Sequence, residues 1–114
     1  MLLIGHLKKT LKFIEQIESK GVEVVIAAGN GSAYLPGMVA SLTTIPVIGI
    51  PLRSNFQDGM DSLLSIVQMP YGVPVGTMGI NSSYNGGIFA CQILSLKYPY
   101  LKEKIRLHKD LKKM

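Results

Sequence analysis

A chain of 114 residues can enclose one hydrophobic core but not two ordinary domains, so we expect a single domain over residues 1–114. The formal net charge is +5, but the lysines lie near the two ends beside acidic residues and the chain has no tryptophan, which favours solvated helix faces over a nucleic-acid surface. No apolar run is long enough to cross a membrane, and Cys91 is the single cysteine, which excludes an intramolecular disulfide and favours a reducing cytoplasmic setting.

The middle of the chain is apolar. Hydrophobic residues make up 47% of the sequence. Between residues 21 and 96 the charged residues are Glu23, Arg53, Asp58 and Asp61. Because a domain of this size leaves much of its surface exposed, we expect some apolar surface to meet another subunit of a homo-oligomer.

The first half of the chain predicts a helix, a strand, a second helix and a second strand. Leu7, Leu11 and Ile14 recur at helical spacing and Gly21 is a typical helix stop, which predicts a helix over residues 7–20. The remaining predictions are a strand over residues 22–28, a helix over 33–42 and a strand over 45–51, the last suited to cover on both faces.

The second half continues the alternation. We predict a helix over residues 59–68, a short strand over 75–80, a helix over 84–96 and a last helix over 99–112. Leu101, Ile105 and His108 fall on one side of the last helix, which we expect to pack on the domain or on a neighbouring subunit.

Strands that alternate with helices predict an α/β fold with a parallel sheet. Ligands of such sheets bind at the carboxyl ends of the strands. Three loops are predicted to meet there, over residues 29–34, 52–58 and 81–84. We also expect the strand over residues 22–28 to lie at or near an edge of the sheet.

The loop after the first strand is the strongest candidate site. Gly29 and Gly31 flank Asn30, so the backbone can take positive φ and present successive N–H groups to an anion, while Ser32 can cap the next helix. Tyr34 follows and would lean over a bound ligand. A plain strand-to-helix connection whose glycines only satisfy geometry remains the alternative.

Other residue types that carry chemistry are sparse. His6 and His108 lack further ligands at a recognised spacing, which argues against a metal site. Cys91 lies in an apolar helical segment without an activating base, which predicts a buried thiol rather than a nucleophile. Asp58 and Asp61 are interpreted as capping residues of the third helix, with an acid–base pair as the alternative.

Three stretches of this sequence resemble the class I carboxyaminoimidazole ribonucleotide mutases of purine biosynthesis, the PurE proteins. Residues 24–38 resemble that family's strand and glycine-rich turn, residues 61–70 (Asp-Ser-Leu-Leu-Ser-Ile-Val-Gln-Met-Pro) its most recognisable helix, and residues 72–77 its Gly-Ile-Pro-Val-Gly-Thr strand. Asn85 and residues 92–94 continue the resemblance, which covers the chain from about residue 11 to its end.

The resemblance implies a three-layer, flavodoxin-like parallel sheet, an octamer with active sites between subunits, and no metal or organic cofactor. It implies movement of a carboxylate from nitrogen to carbon on an aminoimidazole ribonucleotide, or carboxylation of that compound by carbon dioxide. The backbone amides of Gly29, Asn30, Gly31 and Ser32, with Leu35, would bind this substrate.

The catalytic histidine of the family aligns two residues from His6, and its second histidine aligns with Tyr34, so these two residues are the catalytic candidates. Family members begin with a strand and a Gly-Ser-x-Ser-Asp phosphate loop, so we expect an N-terminally truncated version of the fold. The edge strand would then be covered by a partner subunit, by an added strand from residues 2–5, or by a longer product. A catalytically silent structural or regulatory subunit is the alternative function.

Overall fold

The computed structural model describes residues 2–30, 34–53 and 57–113, and the side chains of residues 8–30, 35–53 and 58–113. Five helices are present among them: α1 (Leu2–Ser19), α2 (Tyr34–Leu42), α3 (Met60–Val67), α4 (Ser83–Leu94) and α5 (Tyr100–Lys113). The strands are β1 (Val25–Gly29), β2 (Val47–Pro51) and β3 (Gly76–Thr77).

The described sheet has three strands in the order β1-β2-β3, and both pairs are parallel. Val25 stands opposite Val47 and Gly29 opposite Pro51, so β1 and β2 are in register over their full length. The α/β class and the parallel sheet predicted from the sequence are confirmed. Within the described sheet β1 is an outer strand, as expected.

Helices cover both faces of this sheet. On one face α1 and α2 close the main core, whose buried side chains are Ile14, Ile17, Val25, Ala27, Val39 and Val47. On the other face α4 packs so closely that a Cβ on Gly86 would come 2.8 Å from Ile50 Cδ1. All five residues of β2 are buried, which is why its sequence is a continuous apolar run. The result is the expected three-layer arrangement, consistent with a flavodoxin-like fold.

The end of α1 follows its sequence closely. Gly21 has φ 75°, its N–H donates to Glu18 O, and the N–H of Val22 reaches back to Ile17 O at 3.0 Å. This is a left-handed C-cap of the kind that glycine favours. The predicted helix stop at Gly21 is therefore confirmed.

Three sequence expectations about local structure were wrong. Residues 2–5 lie inside α1, so they add no strand to the sheet. The third strand is shorter than residues 75–80, because only Gly76 and Thr77 pair with β2. The cap residue of α3 is Gly59 with φ 91° rather than Asp58, while Asp61 lies in the first turn, at the positive end of the helix as expected.

A group of polar side chains around one carboxylate connects the amino-terminal edge of the sheet to the segment after α4. The Tyr98 hydroxyl donates to Glu23 Oε1 at 2.5 Å, and Lys97 Nζ lies 2.9 Å from Glu23 Oε2. The Tyr98 hydrogen bond, and after it the Lys97 contact, lower the pKa of Glu23. The same carboxylate raises the pKa of Tyr98 and of Lys97. The Tyr98 hydroxyl and the Lys97 ammonium group therefore stabilise the ionised form of the Glu23 carboxylate.

Candidate functional site

At the carboxyl edge of the sheet, the described residues that follow β2 and β3 are bonded to each other and to the neighbouring strands. The N–H of Leu52 donates to Gly29 O at 2.8 Å, and the N–H of Asn81 donates to Pro51 O at 2.8 Å. The N–H of Arg53 donates to Asn81 Oδ1, also at 2.8 Å. The described starts of the second and third loops are thus hydrogen-bonded to a neighbouring strand or to each other.

Local backbone geometry allows the loops after β2 and β3 to approach each other. Asn81 adopts φ 58°, a left-handed conformation that asparagine tolerates better than most residues, and so turns its side chain towards Arg53. At Gly59 an added Cβ would lie 2.7 Å from Ile80 Cγ2 and 3.2 Å from the Arg53 Cα. The two loops therefore touch at a position where only glycine fits.

A buried serine of α3 holds the second loop, which follows β2. Ser62 of α3 is 0% exposed, and its hydroxyl donates to Leu52 O at 2.9 Å. A buried hydroxyl without a partner would be costly, so this bond fixes α3 against the loop. Helix α3, which carries the strongest resemblance to the PurE family, therefore holds the loop after β2 at the candidate site.

The structure describes part of the predicted anion turn. Gly29 is the half-buried last residue of β1, and its carbonyl is bonded to Leu52, while Asn30 is exposed. Gly31 and Ser32 lie outside the described residues. The anion-binding role of the four backbone amides stays a prediction.

The two catalytic candidates lie on helices. His6 is in the first half of α1, and Tyr34 is the first residue of α2. The side chains of both lie outside the described residues. Their catalytic roles therefore also stay predictions.

A groove runs along the outer strand beside the predicted site. Its volume is about 340 Å³, and it is lined by Lys9, Thr10, Phe13, residues 25–28, Leu35 and Val39. Phe13, Ile26 and Leu35 are partly exposed and give it apolar walls. Leu35, predicted to bind substrate, thus lies in a cavity that adjoins β1.

Sequence reasoning missed two features of this region. Lys9 is the charged side chain of the groove, and it looked like one of many lysines on a solvated helix face. The contact between Arg53 and Asn81 joins residues that are 28 positions apart, which no local pattern reveals. The one available signal was the asparagine at a loop position, because asparagine favours positive φ.

Three further expectations concern metals, membranes and the thiol. Within the described part of the chain, no three histidine, cysteine, aspartate or glutamate side chains come together as a metal-ligand set. Among the same residues no helix has the length and apolarity needed to span a membrane. Cys91 is half-buried rather than fully buried, because it faces the contact between α4 and α5.

Comparison with known proteins agrees with this architecture. The AIR carboxylase family model matches residues 5–114. The N5-carboxyaminoimidazole ribonucleotide mutase of Pyrococcus horikoshii is 48% identical over 107 residues, covering 93% of this chain and 60% of that protein. The mutase of Saccharolobus solfataricus is 52% identical over 96 residues, covering 84% of this chain and 61% of that protein.

A longer relative carries a different name. The phosphoribosylaminoimidazole carboxylase of Candida glabrata is 50% identical over 93 residues, covering 81% of this chain and 16% of that protein. The chain spans about 60% of the length of the mutases that it matches. The family match over nearly the whole chain, with relatives about half identical, shows that this chain belongs to the AIR carboxylase family.

Proposed function

We propose that this chain acts in purine biosynthesis by converting N5-carboxyaminoimidazole ribonucleotide into its carbon-carboxylated isomer. The observation that carries the proposal is the family match over residues 5–114, together with the mutase name of relatives that cover 84–93% of the chain. The contact between the second and third loops at the carboxyl edge supports it, since α/β sheets bind their ligands there.

The reaction needs an anion site beside a region that excludes water. The carboxylate leaves the exocyclic nitrogen as carbon dioxide, and the ring carbon then bonds to it and gives up its proton, while the nitrogen regains one. We assign the carboxylate to the amides of Gly29, Asn30, Gly31 and Ser32, because backbone N–H groups stabilise developing negative charge well. Leu35 and the apolar groove would keep water from the released carbon dioxide.

His6 and Tyr34 are our candidates for proton transfer and substrate positioning. An imidazole changes its protonation near neutral pH, which suits it to carry the proton between carbon and nitrogen. A phenol with an ordinary pKa near ~10 is a weak acid at neutral pH, so Tyr34 is assigned to hydrogen bonding or packing against the base.

Carboxylation of aminoimidazole ribonucleotide by carbon dioxide is the second candidate activity, favoured by the name of the Candida glabrata relative. It shares the same substrate ring and the same new carbon–carbon bond. A silent structural or regulatory subunit gains no support from these relatives, which are named as enzymes.

We also propose a cytoplasmic homo-oligomer, an octamer by resemblance to the PurE family. Exposed apolar side chains along α5 and just before it support subunit contacts, with Leu96 82% and Leu111 69% exposed. A lone cysteine fits a reducing compartment.

The decisive experiment is an assay of the purified chain with N5-carboxyaminoimidazole ribonucleotide, and separately with aminoimidazole ribonucleotide and bicarbonate. The chain is tested alone and joined to the part of the Pyrococcus horikoshii mutase that it does not span. Product in the first assay supports the mutase, and product only in the second supports the carboxylase. Absence of product in both assays, from the chain alone and from the joined protein, contradicts enzymatic function. Light scattering of the same sample gives the subunit number.

Matched variants then locate the chemistry. The His6→Gln variant is expected to lower kcat about 100-fold, the lower range for loss of an acid–base group. The Tyr34→Phe variant removes one hydroxyl beside the predicted turn and should lower kcat/KM. Its control is Tyr71→Phe, since Tyr71 is fully exposed in the connection between α3 and β3. Equal rates for both tyrosine variants would contradict the role assigned to Tyr34.

A further inference from the structure

Another cleft lies between α4 and α5, and none of its lining residues is a predicted catalytic or substrate-binding residue, although Tyr84 ends the loop of residues 81–84. It has a volume of about 370 Å³. It is lined by Tyr84, Asn85, Ile88, His108, Lys109 and Lys112. Five of these six side chains carry a hydrogen-bonding group, whereas the groove beside β1 is mainly apolar.

The polar side chains of this cleft are already arranged around one another. The Tyr84 hydroxyl and His108 Nε2 are hydrogen-bonded at 2.8 Å, and their rings lie 5.6 Å apart. Lys112 Nζ lies 5.4 Å from the centre of the Tyr84 ring. A phenol, an imidazole and an ammonium group therefore face a common space.

The positive charge of the cleft is not balanced by acidic side chains. Among the described residues the ion pairs are Lys97 with Glu23, Arg106 with Glu103, and Lys113 with Asp110. Lys109 and Lys112 take part in none of these pairs, and no carboxylate lines the cleft within the described part of the chain. Two neighbouring cations thus share one concave surface with no carboxylate to neutralise them.

We propose that this cleft binds a phosphomonoester dianion. Two lysines match its double charge, and the Tyr84 hydroxyl, the Asn85 amide and the His108 ring supply directed hydrogen bonds to its oxygens. A carboxylate has fewer oxygens and half the charge, so it would leave part of this donor set unused. The cavity volume leaves room for a sugar-sized group beside the phosphate.

The pair formed by Tyr84 and His108 can adapt to such a ligand. When Nε2 carries no proton it accepts the hydrogen of the Tyr84 hydroxyl. In the tautomer whose Nε2 carries a proton, Nε2 donates to the hydroxyl oxygen instead, and the hydroxyl hydrogen becomes available to the anion. One hydrogen bond is thus exchanged for another without moving either ring.

Binding of inorganic phosphate and of ribose 5-phosphate to the full chain tests the proposal, with sodium chloride at matched ionic strength as the reference. Amide and ring NMR shifts of Tyr84 and His108 should change with both phosphates and not with chloride. The K109Q/K112Q double variant should bind about tenfold more weakly, as expected when charge-assisted contacts are lost.

A matched variant separates a site from general surface charge. The K8Q/K102Q double variant removes the same charge from exposed positions of α1 and α5 outside the cleft, and it should bind as the wild type does. Equal weakening in both double variants would overturn the proposal, as would unchanged NMR shifts at Tyr84 and His108. The outcome is independent of the proposed enzymatic function, because the assay needs no turnover.

Discussion

The two edges of the sheet use their polar groups differently. At the amino-terminal edge, charged and hydroxyl side chains bind one another: Glu23 accepts from Tyr98 and pairs with Lys97, and the Thr43 hydroxyl donates to Glu18 at 2.8 Å. At the carboxyl edge the loops are held mainly by backbone groups, and Asn30 and Arg53 remain exposed. Bonds that use the backbone leave side chains available for a ligand.

This contrast has a structural origin. At the amino-terminal edge, the side chains of Glu23, Tyr98 and Lys97 bind one another and hold a strand against the segment after α4. At the carboxyl edge, a ligand site requires loops that are fixed while their outer side chains stay accessible. Close approach at Gly59 and the buried hydroxyl of Ser62 fix these loops. We therefore expect substitutions at the two edges to have unequal effects on stability.

The largest effect is expected from replacing glycine at the carboxyl edge. Gly59→Ala forces a Cβ against Ile80 and the Arg53 backbone at φ 91°, and should cost about 3 kcal/mol of unfolding free energy, since overpacking adds to left-handed strain. Gly21→Ala near the other edge has φ 75° but open space, and should cost about 1 kcal/mol. Urea unfolding measures both, and similar losses would contradict the close contact at Gly59.

An intermediate loss of stability is expected at Ser62, the serine that holds the second loop. Ser62→Ala removes the donor to Leu52 O from a fully buried position and should cost about 1–2 kcal/mol, because the carbonyl loses a buried partner. Ser65→Ala, one turn later on the exposed side of α3, is the control and should change stability by less than about 0.5 kcal/mol. Thermal unfolding followed by circular dichroism compares the two, and an unaffected Ser62→Ala variant would show that the loop has other support.

The smallest effect is expected at the amino-terminal edge, and it depends on pH. Because the folded pKa of Glu23 is lowered, its stabilisation is present above the ordinary carboxylate pKa of about 4.3 and is lost as pH falls through the folded value. Tyr98→Phe removes the main cause of the lowered pKa, so its Tm should fall less steeply with acid than that of the wild type. Phe13→Tyr, at an exposed aromatic position, is a control that should keep the wild-type slope. Equal slopes in all three proteins would contradict the coupling between Tyr98 and Glu23.

The sequence predicts the order of elements well because each is a local pattern. The stop at Gly21 and the continuous apolar run of β2 follow from residue types at adjacent positions, and both are found in the structure. The gathering of loops at one edge follows from parallel strand direction alone. These features depend on geometry that neighbouring residues determine.

The errors and omissions have two sources: a helix that extends further than predicted, and contacts between distant residues. Residues 2–5 are apolar and compatible with a strand, but the helical pattern that follows extends through them. The hydrogen bond between Tyr98 and Glu23 joins positions 75 residues apart, and nothing in either segment indicates the other. Gly59 rather than Asp58 is the helix cap, and the crowding by Ile80 and Arg53 that requires glycine there appears only in three dimensions.

The strand order β1-β2-β3 has a consequence for how the sheet assembles. Within the described sheet, β2 and β3 each lie beside the strand that precedes them in sequence, so each pairing closes a loop of one α-helix and its turns. Among these three strands, none has to be inserted between two that have already paired. These three strands can therefore pair progressively during synthesis on the ribosome, one β-α-β step after another, while the hydrogen bond of Tyr98 to Glu23 forms after α4 has emerged.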